Sequence, residues 1–328
     1  MLPFSIIEQA YGRIHSRIHK TPVVTSKLLN QWLGHQILFK AECLQKVGAF
    51  KARGALNTIA HAVEQNISLK HIVANSSGNH AQGVAWAAQQ YNIPATIFMP
   101  ENVSRVKAQA TANYGANVVL LETRAQVDAA VEQAAEDAET LWIPPYNHQD
   151  VIAGQGTAAL EAFDQIDATV DALFAPCGGG GLVSGSLITA RAMSPKTKVI
   201  GVEPLEANDA AESLRAGVIK PLKHPATTIA DGARTPSVGP ITFEHLQELD
   251  GFYEAEEKEI IYWTQWLTHL LKLNIEPTSA MSMIGVKQWL KNQKKSKTVL
   301  VILTGGNIDQ HTHSLIWKED FLGQQPTL

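Results

Sequence analysis

Short runs rich in β-branched residues alternate along this chain with longer stretches whose apolar residues recur every three or four positions. The short runs predict strands over residues 37–40, 71–75, 95–99, 117–121, 172–175, 198–202 and 298–303. The longer stretches predict helices over 53–64, 80–91, 104–114, 125–141, 156–165, 182–193, 257–272 and 278–292. Such alternation predicts an α/β fold, a mostly parallel sheet with helices on both faces. Ligands in these folds settle beyond the carboxyl ends of strands, where loops turn into helices. Residues 204–250, with Pro221, Pro225, Pro236 and Pro240, break the rhythm and read as an excursion rather than a linker.

Candidate chemistry gathers at those loop positions. Gly48-Ala49-Phe50-Lys51-Ala52-Arg53-Gly54-Ala55 follows the first strand. Lysine attacks aldehydes when its surroundings lower its pKa, and Ala49 and Phe50 give Lys51 an apolar setting. Lys46 and Arg53 read as ordinary solvated bases, and Lys51 taken alone reads as one more of 27 basic residues. Asn75-Ser76-Ser77-Gly78-Asn79-His80-Ala81-Gln82-Gly83 presents hydroxyls and N–H groups where a helix begins, a setting suited to a carboxylate. A plain helix cap at Ser77 or Asn79 is the alternative, though one residue would suffice for it. In Cys177-Gly178-Gly179-Gly180-Gly181-Leu182, consecutive glycines let successive N–H groups turn onto one phosphate. A flexible linker fits poorly there, because a buried strand runs straight into an apolar helix.

Glu203 ends the next strand about twenty residues on, as in a dinucleotide-binding unit. Val183 and Ser184 stand where the third glycine of G-x-G-x-x-G belongs, so a dehydrogenase is the second reading. Leu303-Thr304-Gly305-Gly306-Asn307 puts a hydroxyl at a strand end, either to face a flat ring nitrogen or as a simple turn. Ser104-Arg105-Val106-Lys107 matches the S-x-x-K nucleophile pattern but lacks every companion element.

In this order the segments resemble the serine/threonine dehydratase and serine racemase family, enzymes dependent on pyridoxal phosphate (PLP) with the tryptophan-synthase-β type of fold. Ile152-Ala153-Gly154-Gln155-Gly156-Thr157, Ile229-Ala230-Asp231-Gly232 and Ile275-Glu276-Pro277-Thr278 also look like family signatures, and the likeness runs from about residue 20 to about 310. The resemblance implies PLP fold type II, with two domains that are each an open, twisted, mostly parallel sheet flanked by helices. Residues 1–63 and 150–328 would form the large PLP-binding domain, and 64–149 a small mobile one. Lys51 would hold PLP as a Schiff base and act as base at the substrate Cα, with Phe50 beside it. Gly178, Gly179, Gly180, Gly181 and Leu182 would bind the phosphate, Asn79 the ring hydroxyl and Thr304 the ring nitrogen. Ser76, Ser77, Gly78 and His80 would surround the substrate carboxylate, and Ser77 would be a second acid–base group.

A neutral hydroxyl at Thr304 makes the ring a weaker electron sink than a carboxylate would, which suits α,β-elimination. The activity implied is dehydration and deamination of L-threonine or L-serine, with serine racemisation or threo-3-hydroxyaspartate dehydration as alternatives. Racemase members carry an arginine after Leu121 that contacts acidic substrate analogues; the aligned position here is Asp128, and Arg124 is displaced from it. The resemblance also implies a divalent cation (Mg, Mn or Ca) on Glu203, the Ala207 carbonyl and Asp209, all oxygen donors. A helix cap at Asp209 and a paired base at Glu203 are the plain alternatives. It further implies a homodimer with a small amino-acid substrate.

Composition narrows the partners. The 328 residues are 45% hydrophobic and 18% charged, enough for two domains with sizeable cores. A net charge of −4 carries no footprint for nucleic acid or anionic membrane. Cys43 and Cys177 lie far apart and suit a reducing cytoplasm, and no apolar run reaches the length of a membrane span. The twelve histidines show no zinc spacing, and His148 reads as a loop or surface residue. The short tail beyond the last strand leads to no expectation of a regulatory domain or of feedback control by isoleucine.

Overall fold

The computed structural model describes residues 2–328 and builds them around two sheets. Its strands are β1 (Val23–Thr25), β2 (Gln36–Ala41), β3 (His71–Ala74), β4 (Ala95–Pro100), β5 (Asn117–Leu121), β6 (Thr140–Trp142), β7 (Ala172–Pro176), β8 (Lys198–Pro204), β9 (Gly251–Ala255) and β10 (Thr298–Leu303). One sheet has the order β1-β2-β10-β7-β8-β9 and the other β5-β4-β3-β6. Only the edge pair β1–β2 is antiparallel among the described pairings. The central strands of the larger sheet are apolar on both faces, as parallel strands under two helical layers must be. Phe39, Phe174, Val299 and Val301 enter the core on one side, and Leu38, Leu173, Leu300 and Ile302 enter it on the other. That is the period of two expected of a strand.

The seven predicted strands are all present, while helix Ser5–Ile14 lies outside the predicted elements and the helix predicted over 156–165 begins at Gln149. The helix predicted over 125–141 spans only Arg124–Ala134, and Thr140–Trp142 forms β6, too brief for alternation to show. The stretch 278–292 holds two helices, Pro277–Ala280 and Ser282–Leu290. The excursion 204–250 contains helices Asp209–Ala216 and Pro240–Leu246, and β9 follows it.

Helix Gln149–Gln165 organises the centre, because glycines bring two others unusually close to it. A Cβ on Gly154 would lie 2.6 Å from the Arg53 carbonyl oxygen and from Gly54 Cα in helix Lys51–Glu64. A Cβ on Gly185, in helix Gly181–Met193, would lie 2.5 Å from the Ile152 carbonyl oxygen. Any side chain at these crossings would push the helices apart. The segment 152–157 is therefore a packing device.

Arg53 is not the solvated base expected from its neighbours. It is fully buried, with Nε 2.7 Å from Glu42 and Nη2 2.7 Å from Glu161. Lys40, also buried, donates to Glu161 at 2.7 Å and to the Thr21 carbonyl at 2.6 Å. A long apolar stem and a planar fork let Arg53 cross the core and meet both carboxylates, and Glu42 is held below the usual carboxylate range although burial opposes this. Glu161→Ala would leave two buried cations short of their shared anion, at a cost of about 3–5 kcal/mol. Denaturant midpoints of the variant and the wild type measure this; an unchanged midpoint would show that water replaces the carboxylate.

Candidate active site

Residues that directly follow β3, β4, β6, β7 and β10 line one cavity of about 1730 Å³. Single small-molecule sites span roughly 300–1,000 Å³, so this one has room for a cofactor and a substrate together. It opens where strand ends meet helix starts, as the β-α pattern requires.

Lys51 begins its helix on that cavity. The loop before it is stitched to the end of β10: the Phe50 N–H donates to the Thr304 carbonyl at 2.9 Å, and the Gly306 N–H to Gly48 at 3.0 Å. Lys51 Nζ lies 5.2 Å from the centre of the Phe50 ring and donates to the Pro145 carbonyl at 2.6 Å. Burial pulls its pKa down to about 8, against a smaller opposing pull from Glu276. This lysine is partly neutral near physiological pH, unlike a surface lysine.

Ser76, Ser77, Gly78 and Asn79 line the cavity at the start of helix Asn79–Gln90, whose first N–H groups have no partner within the helix. A carboxylate would be stabilised there. His80 behaves differently from the expectation. Its ring is buried and turned inward, with Nε2 donating to the Ile143 carbonyl at 2.8 Å. Burial and the nearby Lys51 push its pKa down to about 3, so the ring is neutral and Nδ1 carries only a lone pair. That ring cannot donate to a carboxylate; the His80 backbone N–H can. Asp128 and Arg124 also line the cavity, 2.9 Å apart, with Asn75 Nδ2 donating to Asp128 at 2.7 Å.

Asn79 and Thr304, expected against a ring, converge on Glu276. Asn79 Nδ2 donates to both Glu276 oxygens at 2.9 and 3.2 Å, and Thr304 Oγ1 donates to Oε1 at 3.0 Å. Ser279 Oγ lies 2.9 Å from Thr304 Oγ1, and Asn307 Nδ2 donates to Asn79 Oδ1 at 2.8 Å. The Thr304 hydroxyl is thus one member of a buried polar network, not an isolated neutral group. Burial raises Glu276 to about 7, with Asp231 adding to the rise and Asn79 and Thr304 opposing it. The sequence marks Glu276 only as part of a signature. An acid between Ile275 and the helix-starting Pro277 is the available signal.

Gly178, Gly179, Gly180, Gly181 and Leu182 lead from β7 into helix Gly181–Met193, with Gly180 at φ 89°, a left-handed setting that glycine takes at no steric cost. Each glycine also has a neighbour in the space of its missing side chain: Ala233 at Gly178, Tyr146 at Gly179 and Gly181, and Thr242 at Gly180. The segment after β6 therefore belongs to the site. Pro145 accepts from Lys51, the Tyr146 hydroxyl donates to the Ser237 carbonyl at 2.7 Å, and Asn147 Oδ1 accepts from the Ile241 N–H at 2.9 Å. Nothing in Pro144-Pro145-Tyr146-Asn147 signals this in the sequence. His148, expected in a loop or at the surface, ends the loop by capping helix Gln149–Gln165 and also lines the cavity.

Glu203, Ala207 and Asp209 lie outside the cavity lining. Glu203 is fully buried at the end of β8 and accepts from the Ala210 and Ala211 N–H groups at 3.2 and 2.6 Å. Both Asp209 oxygens are buried without a hydrogen bond of ordinary geometry, and burial raises this carboxyl to about 7 against smaller pulls from the Val238 and Asp209 backbone N–H groups. Glu203 thus caps the start of helix Asp209–Ala216 and pairs with no base, whereas neither plain alternative accounts for Asp209. Among the described residues, no group of three or more His, Cys, Asp or Glu side chains could hold a metal ion.

A family model described as "Pyridoxal-phosphate dependent enzyme" matches residues 14–305. An L-threo-3-hydroxyaspartate ammonia-lyase from Saccharomyces cerevisiae is 43% identical over 95% of each chain. A serine racemase from Dictyostelium discoideum is 40% identical over 94% of this chain and 96% of its own. The crystal structure of a T.th. threonine deaminase superposes with a TM-score of 0.87 at 40% identity, over 94% of this chain and 99% of that one. The two helix-flanked parallel sheets are those of PLP fold type II. With a partly neutral lysine and a glycine loop on one large cavity, the chain belongs to the family of PLP-dependent enzymes, in its ammonia-lyase and racemase branch.

Proposed function

We propose that this enzyme removes the β-hydroxyl and the amino group of L-serine or L-threonine, giving a 2-oxo acid and ammonia. The placement of Lys51 carries the reading: a lysine of lowered pKa opening on the same cavity as the glycine loop and the Ser76–Gly78 turn. The 43% identical relative extends the substrate class to threo-3-hydroxyaspartate, and the 40% identical one adds serine racemisation as a second reading. Bound PLP would supply the electron sink that makes the substrate Cα–H acidic. The Gly178–Gly181 N–H groups and Leu182 would hold its phosphate, with Asn79 and Thr304 facing its ring and Phe50 beside it. Lys51 would take the Cα proton, and the start of helix Asn79–Gln90 would orient the substrate carboxylate through Ser76, Ser77 and Gly78. The unit carrying β3–β6, residues 64–149, would close on the larger one, residues 1–63 and 150–328, and exclude water. The Lys107–Asp231 ion pair, which joins the two parts at the cavity, is consistent with that motion.

Purified protein should be yellow and should fix PLP on Lys51 after borohydride reduction; a trapped adduct in Lys51→Ala would overturn the assignment. Because only the neutral amine attacks, the rate at which cofactor-free protein captures PLP should climb with pH and level off above about 8, the value to which burial brings this lysine. A rate still climbing towards pH 10 would mean that the lysine is solvated.

Racemisation needs proton removal on one face of Cα and delivery on the other, so a second group must join Lys51. Ser77 shares the cavity and is that candidate. Wild type and Ser77→Ala are to be compared on L-serine, D-serine, L-threonine and threo-3-hydroxyaspartate. A general acid–base group contributes about 10²–10⁴-fold, so the variant should lose racemisation and D-serine elimination by that factor while L-elimination largely survives. Equal loss of L-elimination would show that Ser77 positions the carboxylate instead.

The two unpaired Asp209 oxygens and the buried Glu203 suit a hard cation completed by the Ala207 carbonyl and water. We assign magnesium, manganese or calcium to this place, in a structural or activating role, since these residues lie outside the cavity lining. Chelation should lower the melting temperature, with recovery on adding magnesium or manganese, and Glu203→Gln should abolish that response. A protein indifferent to both treatments has no such site.

A further inference from the structure

We propose that Tyr146 is a positioning residue for the phosphate loop, and that Gly179 is glycine chiefly to admit the Tyr146 ring. The proposal rests on the reading that the glycine loop holds the cofactor phosphate. A Cβ built on Gly179 would run into the Tyr146 ring, with Cγ its nearest neighbour and Cδ1 and Cδ2 next. A Cβ on Gly181 would meet Tyr146 Cα and Cβ at 3.2 Å. One residue therefore occupies the space left by two of the four glycines. At the far end of the ring, the hydroxyl donates to the Ser237 carbonyl at 2.7 Å, and burial holds the phenol neutral by pushing its pKa up to about 12. A ring fixed at both ends is a rigid strut, and the loop lying against it inherits that rigidity.

The neighbours of Tyr146 make the strut consequential. Pro145 accepts the Lys51 hydrogen bond, and Asn147 fills the space beside Gly239 while accepting from Ile241. Three consecutive residues thus gauge the lysine, the phosphate loop and the segment 237–241 against one another. A phosphate needs several N–H groups aimed at one point, and a loop free to rotate about four glycines would lose that aim to entropy. The ring supplies the constraint that the glycines remove.

The test is a double-mutant cycle on the holoenzyme, read as PLP dissociation constant and as the ³¹P shift and linewidth of the bound phosphate. Tyr146→Ala should weaken PLP binding about tenfold and broaden the ³¹P line, whereas Tyr146→Phe, which keeps the ring, should stay within about threefold of wild type. Gly179→Ala should weaken binding more, about a hundredfold, because the methyl displaces the ring and the loop together. The decisive variant is Gly179→Ala/Tyr146→Ala. With the ring gone the methyl has room, so the double variant should bind PLP no more weakly than Tyr146→Ala. A double variant as weak as Gly179→Ala, or one that fails to fold where Tyr146→Ala folds, overturns the proposal, since the phosphate itself would then demand glycine. Wild-type protein that binds no PLP would remove the underlying cofactor reading instead, a failure distinct from that of the strut.

Discussion

Three helices approach one another at distances that only missing side chains allow, and the site is built on that contact. Gly154 lets helix Gln149–Gln165 lie against the first turn after Lys51, and the Gly156–Gly185 crossing brings in the helix that begins at the glycine loop. The lysine and the glycine loop are therefore set by the same scaffold helix, from opposite flanks. Loops alone could not hold two groups in register across a cavity of about 1730 Å³. Close backbone contact also removes the space in which helices slide, so the geometry is rigid where the chemistry needs it.

Local chemistry was legible in the sequence because it lies at strand ends and repeats rare residue types. Lys51, the Ser76–Asn79 turn, the glycine run and Thr304 all line the cavity that the β-α pattern predicted. The alternating core of strands and helices was legible because its periods are regular, whereas helices Ser5–Ile14 and Lys27–Leu33 and strand β9 were not. What stayed hidden depends on contacts distant in sequence. Arg53 looks like any surface base until Glu42 and Glu161 meet it, 11 and 108 residues away. Glu276 becomes part of the site only through Asn79, 197 residues earlier. Tyr146 carries no signal because its partners, Gly179, Gly181 and Ser237, follow only later in the chain.

His80 shows how a motif can be legible while the role of one of its members is not. The sequence places it in the first turn of helix Asn79–Gln90, as the structure does. Its ring nonetheless turns back to bond Ile143, at the end of the strand segment that leads to Tyr146. The ring thus ties the Ser76–Asn79 turn to the segment that contacts Lys51 and the glycine loop. Only the backbone of His80 remains for the ligand.

Buried ionisable groups divide cleanly in this protein, and the division separates structure from function. Arg53 and Glu42 are desolvated yet fully partnered, so each is driven further into its charged form. Lys51, Glu276 and Asp209 are desolvated with no opposite charge bonded to them, and each is driven towards neutrality. The linkage has a definite sign. Glu276 binds its proton more tightly folded than unfolded, so it withdraws stability as pH rises from its ordinary value of 4.5 to about 7. Lys51 binds its proton less tightly folded, so its penalty is full below about 8 and relaxes only towards 10.5. The ligand-free fold therefore carries both penalties across neutral pH. A fold selected for stability alone would have completed these groups, as it completed Arg53. Lys51 and Glu276 instead face one cavity without a bonded opposite charge, and buried groups perturbed in this way gather where a protein binds and reacts.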